Sequence, residues 1–146
     1  MASWAEFETA EPKFAARVRR LMSTRKHLTM ATLRRDGSPR ISGTEVQFAD
    51  GQLTIGSMLR AVKANDLLRD SRVAIHGPTN DPAKGGGWRG EAKVSGRAVQ
   101  MLATGDSHSF QIAITEAVIT RLNATRDRLV IESWTPSRGY RLVERD

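Results

Sequence analysis

Apolar and polar positions change their period several times along this chain, and each change predicts an element. Ser3-Trp4-Ala5-Glu6 has the spacing of a capping box. In that motif a serine oxygen and a glutamate each satisfy an orphan amide at a helix start. Phe14, Val18 and Leu21 then recur at helical spacing, so residues 3–23 are expected to be helical, with a break near Pro12. From Leu28 the period falls to two. Leu28, Met30 and Thr32 alternate with Thr29, Ala31 and Leu33, which predicts a first strand. Arg35-Asp36-Gly37-Ser38-Pro39 is a turn signal. A second strand is expected from Arg40 to Phe48. Asp50-Gly51 joins it to a third, Gln52 to Gly56, because such a hairpin turn needs two central residues that accept positive φ. These three strands are expected to form an antiparallel meander.

A short amphipathic helix is expected from Leu59 to Arg69, followed by a strand from Arg72 to Gly77. Pro78 to Gly90 contains Asp81-Pro82 and Gly85-Gly86-Gly87 and reads as a loop. Gly90 to Met101 alternates again, with Ala92, Val94, Gly96 and Ala98 on one face. Ile112, Ile114, Val118, Ile119 and Leu122 have the spacing of a helix that starts at Ser107 or Ser109. Arg128 to Trp134 and Gly139 to Val143 are expected as two closing strands around Pro136. No repeat or linker divides the sequence, and 146 residues suit one domain. Several short antiparallel strands with few helices favour a barrel over a parallel sheet, which needs a helix between most strands.

Composition narrows the chemistry. There is no cysteine, which excludes disulfides, thiolate zinc sites and cysteine nucleophiles. His27, His76 and His108 are not at metal-ligand spacing, so no metal is expected, and His76 at a strand end reads as structural. There is no Gly-x-Ser-x-Gly elbow. The Gly85-Gly86-Gly87 run precedes no helix and lacks the ending of a nucleotide loop; Trp88 beside it is a candidate to stack on a ring. The N-terminus carries acids where a signal peptide needs a basic start. No apolar stretch approaches the roughly 18–20 residues that span a bilayer. A cytoplasmic protein without a membrane partner is expected. The net charge is +7 and the pI about 10.7, which draws anions. The basic residues are spread along the chain rather than gathered in a block. A single-strand-binding barrel would interleave such charges with exposed aromatics. Only four Phe, three Trp and one Tyr occur, so nucleic acid is not the expected partner.

Three stretches carry a family likeness. The first is Leu28-Thr29-Met30-Ala31-Thr32-Leu33 with Asp36-Gly37-Ser38-Pro39-Arg40. The second is Gly51-Gln52-Leu53-Thr54-Ile55-Gly56 leading to the run from Arg60 to Ala74. The third is Gly90-Glu91-Ala92-Lys93-Val94-Ser95-Gly96-Arg97-Ala98. In this order and spacing they resemble the pyridoxamine 5′-phosphate oxidase-like family, and within it actinobacterial oxidoreductases that use a flavin or the deazaflavin coenzyme F-420. The resemblance implies a mainly β fold, an antiparallel FMN-binding split β-barrel with a few flanking helices. It implies an N-terminal helical segment (1–25), a cofactor-binding core (26–101), and a helix with closing strands (102–146). It also implies a homodimer with its sites across the interface.

In that family the strands that match Arg40–Val46 and Leu53–Ser57 line the cofactor ring. Arg40, Ser42, Gly43 and Thr44, with Ile55, Gly56 and Ser57, are therefore the candidate cofactor residues. The family's phosphate lysine matches Lys63. Many flavin oxidases have an arginine at the place of Val62; here Arg60, one helical turn before Lys63, is the candidate substitute. The plain alternative for Arg60 and Lys63 is a solvated basic face, and for Ser42, Thr44 and Ser57 ordinary strand and turn chemistry. Glu45 is the one carboxylate in these strands, but hydride transfer on a bound cofactor does not require it. Arg138 is the only nominee for substrate contact. The expected function is hydride transfer between F-420 and a small organic substrate, with no catalytic residue assigned. The alternatives are an FMN-dependent oxidase or reductase, a cofactor carrier without turnover, and a basic nucleic-acid-binding barrel.

Overall fold

The computed structural model describes residues 1–58, 61–101 and 107–146; within them the chain forms three helices and nine strands. Helix α1 (Trp4–Ala10) begins with the expected capping box. The Ser3 Oγ accepts from the Glu6 amide at 3.1 Å, and Glu6 Oε1 accepts from the Ser3 amide at 3.2 Å. The expected break falls at Glu11, and Pro12 opens α2 (Pro12–Met22), where a missing N–H costs nothing. Phe14, Ala15, Val18, Leu21 and Met22 form the buried stripe of α2. Among the described residues no helix is long and apolar enough to cross a bilayer.

The strands are β1 (Leu28–Leu33), β2 (Pro39–Thr44), β3 (Val46–Ala49), β4 (Gln52–Met58), β5 (Arg72–His76), β6 (Glu91–Gln100), β7 (Ser107–Leu122), β8 (Leu129–Thr135) and β9 (Gly139–Arg145). Helix α3 (Val62–Arg69) lies between β4 and β5. All pairings are antiparallel, in the order β2-β1-β5-β6-β7-β4-β3, with β8 pairing β7 and β9 pairing β8. The Asp50-Gly51 hairpin forms as expected, with φ of +53° and +71°.

Two expectations are corrected. The meander does not form, because the second strand divides at Glu45. Its first half, β2, pairs with β1, and its second half, β3, pairs with β4. Arg40, Ser42, Thr44, Val46 and Phe48 keep one inward parity throughout, so the alternation carries no sign of the change of partner. The helix expected from Ser107 or Ser109 to Leu122 is instead the longest strand, β7. Phe110, Ile112 and Ile114 are buried at period two; the buried set then resumes at Ala117 and Ile119. The slip comes from an irregularity opposite Ser95/Gly96, where Gly96 faces Ile114 and Ser95 faces Glu116. Thr115 is the extra residue of a bulge. The bulge turns a spacing of two into three, which imitates a helical period. A Cβ at Gly96 would run into the Ala113 carbonyl, so this crossing requires glycine.

Strand β7 has β6 along one edge, while β4 pairs with its beginning and β8 with its end. The sheet therefore forks on β7. The N-terminus enters the gap: Ala2 and Ile114 exchange backbone hydrogen bonds of 2.9 and 2.7 Å. Helices α1 and α2 cover this fork. Phe7 stacks on Trp134 at 4.6 Å and meets Trp4 and Phe14 edge-on, and Trp4 meets Phe48.

One buried charge fastens α2 to the forked sheet. Glu132 follows the inward parity of Val130 and Trp134 on β8 and is 2% exposed. It receives a fork of bonds from Arg17 at 2.7 and 2.6 Å, one from Arg121 at 2.8 Å and one from the Tyr140 hydroxyl at 2.6 Å. Burial alone would raise its pKa. The bonds from Arg17, Tyr140 and Arg121 outweigh burial and hold it at about 2. Removing the charge strands two arginines, so Glu132→Gln is expected to cost about 3 kcal/mol in urea unfolding. Because the folded pKa is depressed, the stabilisation is complete above the ordinary value of 4.5 and is lost as pH falls toward about 2. The gap between wild type and Glu132→Gln should therefore narrow over that window in a pH series of unfolding curves.

Candidate functional site

A cleft of about 550 Å³ opens where the chain passes from β2 to β3. Gly43, Thr44, Glu45 and Gln47 from this passage form one wall, and Thr54, Ile55, Gly56 and Ser57 of β4 form another. Lys63 of α3 stands at its lip, with His27, Ser107 and Ser109 completing the lining. Thr44 and Ile55 are buried, at 5% and 3% exposure, and anchor the two walls in the core. Ser109 comes to the cleft because it pairs with Gly56 across β4 and β7.

Two residues that line this cleft have bonding capacity to spare. Lys63 Nζ donates to the Gly43 carbonyl at 2.7 Å, which uses one of its three N–H bonds. The Ser57 Oγ is closed off from solvent and has no hydrogen-bond partner among the described residues. A buried hydroxyl without a partner costs free energy, and the Trp4 Nε1 in the core shares that condition. At the outer rim Lys26 Nζ and His27 Nδ1 each lie 3.7 Å from Glu45 Oε1. All three side chains are exposed, so these pairs contribute little.

Of the residues singled out from sequence, Gly43, Thr44, Ile55, Gly56, Ser57 and Lys63 converge on the cleft. Arg40 and Ser42 do not line it. Arg40 is engaged elsewhere: its Nε donates at 2.8 Å to Asp66, which is 2% exposed on α3. Arg60 lies outside the described residues. Glu45 is at the rim. His76 holds the Gly77 carbonyl through Nδ1 at 2.6 Å and lies two strands from β2. The Trp88 Nε1 donates to the Asn80 carbonyl at 2.8 Å and ties its own loop together, away from the cleft. Arg138 donates to Ser133 Oγ at 2.7 Å, also away from the cleft.

Sequence reading missed His27, Gln47, Ser107 and Ser109 as cleft residues, and it placed Thr54 in a lining strand without singling it out. Gln47 and Thr54 face each other across the β3–β4 hairpin, so the Asp50-Gly51 turn could have paired them. Ser107 and Ser109 were concealed by the helical period of the segment they begin. Asp66 was missed too. Its carboxylate receives bonds from Thr32 Oγ1 at 2.7 Å, Arg40 at 2.8 Å and Arg69 at 2.9 Å. Burial would raise its pKa, but these three donors together hold it below the ordinary range.

No family model matches the sequence, and no curated protein matches it. Solved structures do match. A pyridoxamine 5′-phosphate oxidase-related, FMN-binding protein from Nostoc punctiforme aligns with TM-score 0.66 at 9% identity, over 93% of this chain and 96% of that one. PhzG from Burkholderia lata, solved with tetrahydrophenazine-1-carboxylic acid, aligns with TM-score 0.64 at 11% identity, over 92% and 87%. A Clostridium acetobutylicum protein of the pyridoxinephosphate oxidase family, related to general stress protein 26, gives 0.62 at 10% identity, over 87% and 97%. At such identities the likeness is one of fold. The chain has the fold of these proteins, the mainly antiparallel split-barrel architecture expected from its sequence, with a sheet that is not closed by hydrogen bonds.

The lone Ser57 hydroxyl makes a prediction independent of any ligand. Ser57→Ala removes an unsatisfied buried group, so the unliganded protein should gain about 1 kcal/mol of stability, read by thermal unfolding. A loss of stability would mean that this oxygen already serves the fold.

Proposed function

We propose that this chain binds FMN in the cleft between β2 and β4 and acts as an oxidoreductase on a small organic substrate. The observation that carries this reading is the Lys63–Ser57 pair. Lys63, whose ammonium spends one of its three N–H bonds, and Ser57, whose hydroxyl has no partner among the described residues, line one cleft. A phosphate group offers oxygens to both, and hydrogen bonds to a charged group are the stronger kind. Gly43 and Gly56 let a flat ring approach the backbone: a Cβ at Gly43 would meet nothing within 4 Å, and at Gly56 only the His108 carbonyl at 3.9 Å. Ile55 adds an apolar surface beside them.

The coenzyme named among the three structural neighbours is FMN, in the Nostoc protein, and none names the deazaflavin. FMN therefore takes the place of F-420, the coenzyme expected first from the sequence. Bound FMN supplies hydride chemistry. The chain's own residues do the rest. Lys63 and Ser57 hold the phosphate, and Gln47 and Thr54 present amide and hydroxyl groups along the walls. The proton that accompanies a hydride needs no dedicated buried acid, because the cleft opens to water.

A second copy of the chain is part of this reading. Ile41 is 75% exposed on the face of β2 that also carries Gly43, and an apolar side chain so placed beside an open cleft suits a surface that another protomer covers.

Titration with FMN and with F-420, followed by cofactor fluorescence, tests the cofactor. FMN is expected to saturate at or below tens of micromolar, and Lys63→Ala to weaken it about tenfold. If neither coenzyme binds in that range, the reading fails; if F-420 alone binds, the coenzyme assignment reverts to the deazaflavin. Sedimentation tests the second copy: the wild type should run as a dimer, and Ile41→Arg should shift it to monomer. A wild-type monomer with FMN bound would remove the second copy from the site.

A further inference from the structure

Lys63 can serve a phosphate only if the first turn of α3 stays against β2, and little in that helix ensures it. α3 has eight residues, far below the roughly 12–15 that a helix needs to persist alone. No side chain caps it, since its N-cap is Ala61. Val62 and Leu68 are exposed, at 54% and 48%, which leaves Ala64 and Leu67 as its buried apolar anchors. Arg69 at the far end ties the helix to β1 by donating to the Leu33 carbonyl at 2.7 Å, and the anchor nearest Lys63 is Asp66, buried at 2% one turn after it. Its carboxylate joins three donors on three elements: Thr32 on β1, Arg40 on β2 and Arg69 on α3 itself. Through Arg40 it fastens α3 to β2, and Lys63 closes on the Gly43 carbonyl of that same strand.

We infer that Asp66 is the positioning residue of the phosphate site: by clamping α3 onto β1 and β2 it holds the Lys63 ammonium at the cleft and so sets selectivity for phosphorylated over unphosphorylated flavin. This inference rests on the FMN reading above and extends it to a residue that does not itself line the cleft. Electrostatics alone argues the opposite sign. Removing a carboxylate near an anion should strengthen anion binding, whereas releasing the clamp should weaken it. The direction of the effect therefore decides between the two.

The experiment measures dissociation constants for FMN and for riboflavin, which lacks the phosphate, in wild type, Lys63→Ala, Asp66→Asn and Thr32→Val. Asp66→Asn is expected to lower the preference for FMN over riboflavin about tenfold, in the direction of Lys63→Ala, with riboflavin affinity near wild type. Thr32→Val removes one donor without changing any charge; it should lower the preference about threefold and keeps the test available if Asp66→Asn does not fold. An unchanged or increased preference in these variants overturns the inference. A parallel loss of both ligands also overturns it, because it would show a role in the fold alone. A wild type that binds both flavins equally would instead refute the phosphate site of the parent proposal.

Discussion

Thr44 and Val46 are separated by one residue, yet they lie on strands at opposite ends of a seven-strand path of hydrogen bonds. A sheet can meet that constraint only by curling until its first and last strands come together. The curl brings β2 alongside β4, and the seam is joined by the chain itself rather than by a ladder of interstrand bonds. Along a seam without a ladder the two walls are free to stand apart, and the cleft opens there. Gly43, Thr44, Glu45 and Gln47 enter the cleft because they are the seam, and Thr54 to Ser57 because β4 is its other bank.

Two buried carboxylates hold helices onto this curled sheet. Glu132 fastens α2 across the fork on β7, and Asp66 fastens α3 beside the seam. Each gathers three donor residues, two of them arginines, and each stays ionised against the cost of its own burial. Desolvation makes an ion pair a poor source of net stability, but directed bonds fix the location of an element in a way that apolar contact does not. For α2, with its broad apolar stripe, the charge adds to strong packing. In the case of α3, which buries little beyond Ala64 and Leu67, the charge works with the bond from Arg69 to the Leu33 carbonyl to tie the helix to the sheet, one turn after Lys63.

The cleft itself departs from what stability would select. Ser57 keeps a hydroxyl without a partner among the described residues, and Gly43 and Gly56 leave space where a side chain would fit. A stretch that gives up local stability has the profile of a binding site.

Much of the fold was legible along the chain because the signals are local. The capping box at Ser3, the break at Pro12, the Asp50-Gly51 hairpin and the alternation in β1 and β6 depend on neighbours within a few residues, and all appear where expected. Lys63 was singled out by the family resemblance rather than by any local period, and it lines the cleft together with Ser57. Tertiary structure decided the rest. The bulge at Thr115 made a strand look helical, because the extra residue exists only against the partner strand β6. The passage at Glu45 keeps perfect alternation while changing partner, so pairing was invisible to periodicity. Arg40 and Ser42 share a parity with Thr44, yet Thr44 reaches the cleft and Arg40 goes to a carboxylate 26 residues away. Local period reports which face of a strand a residue occupies. Which strand lies beside it, and which buried charge claims it, are set by contacts between distant segments that form only when the sheet has curled.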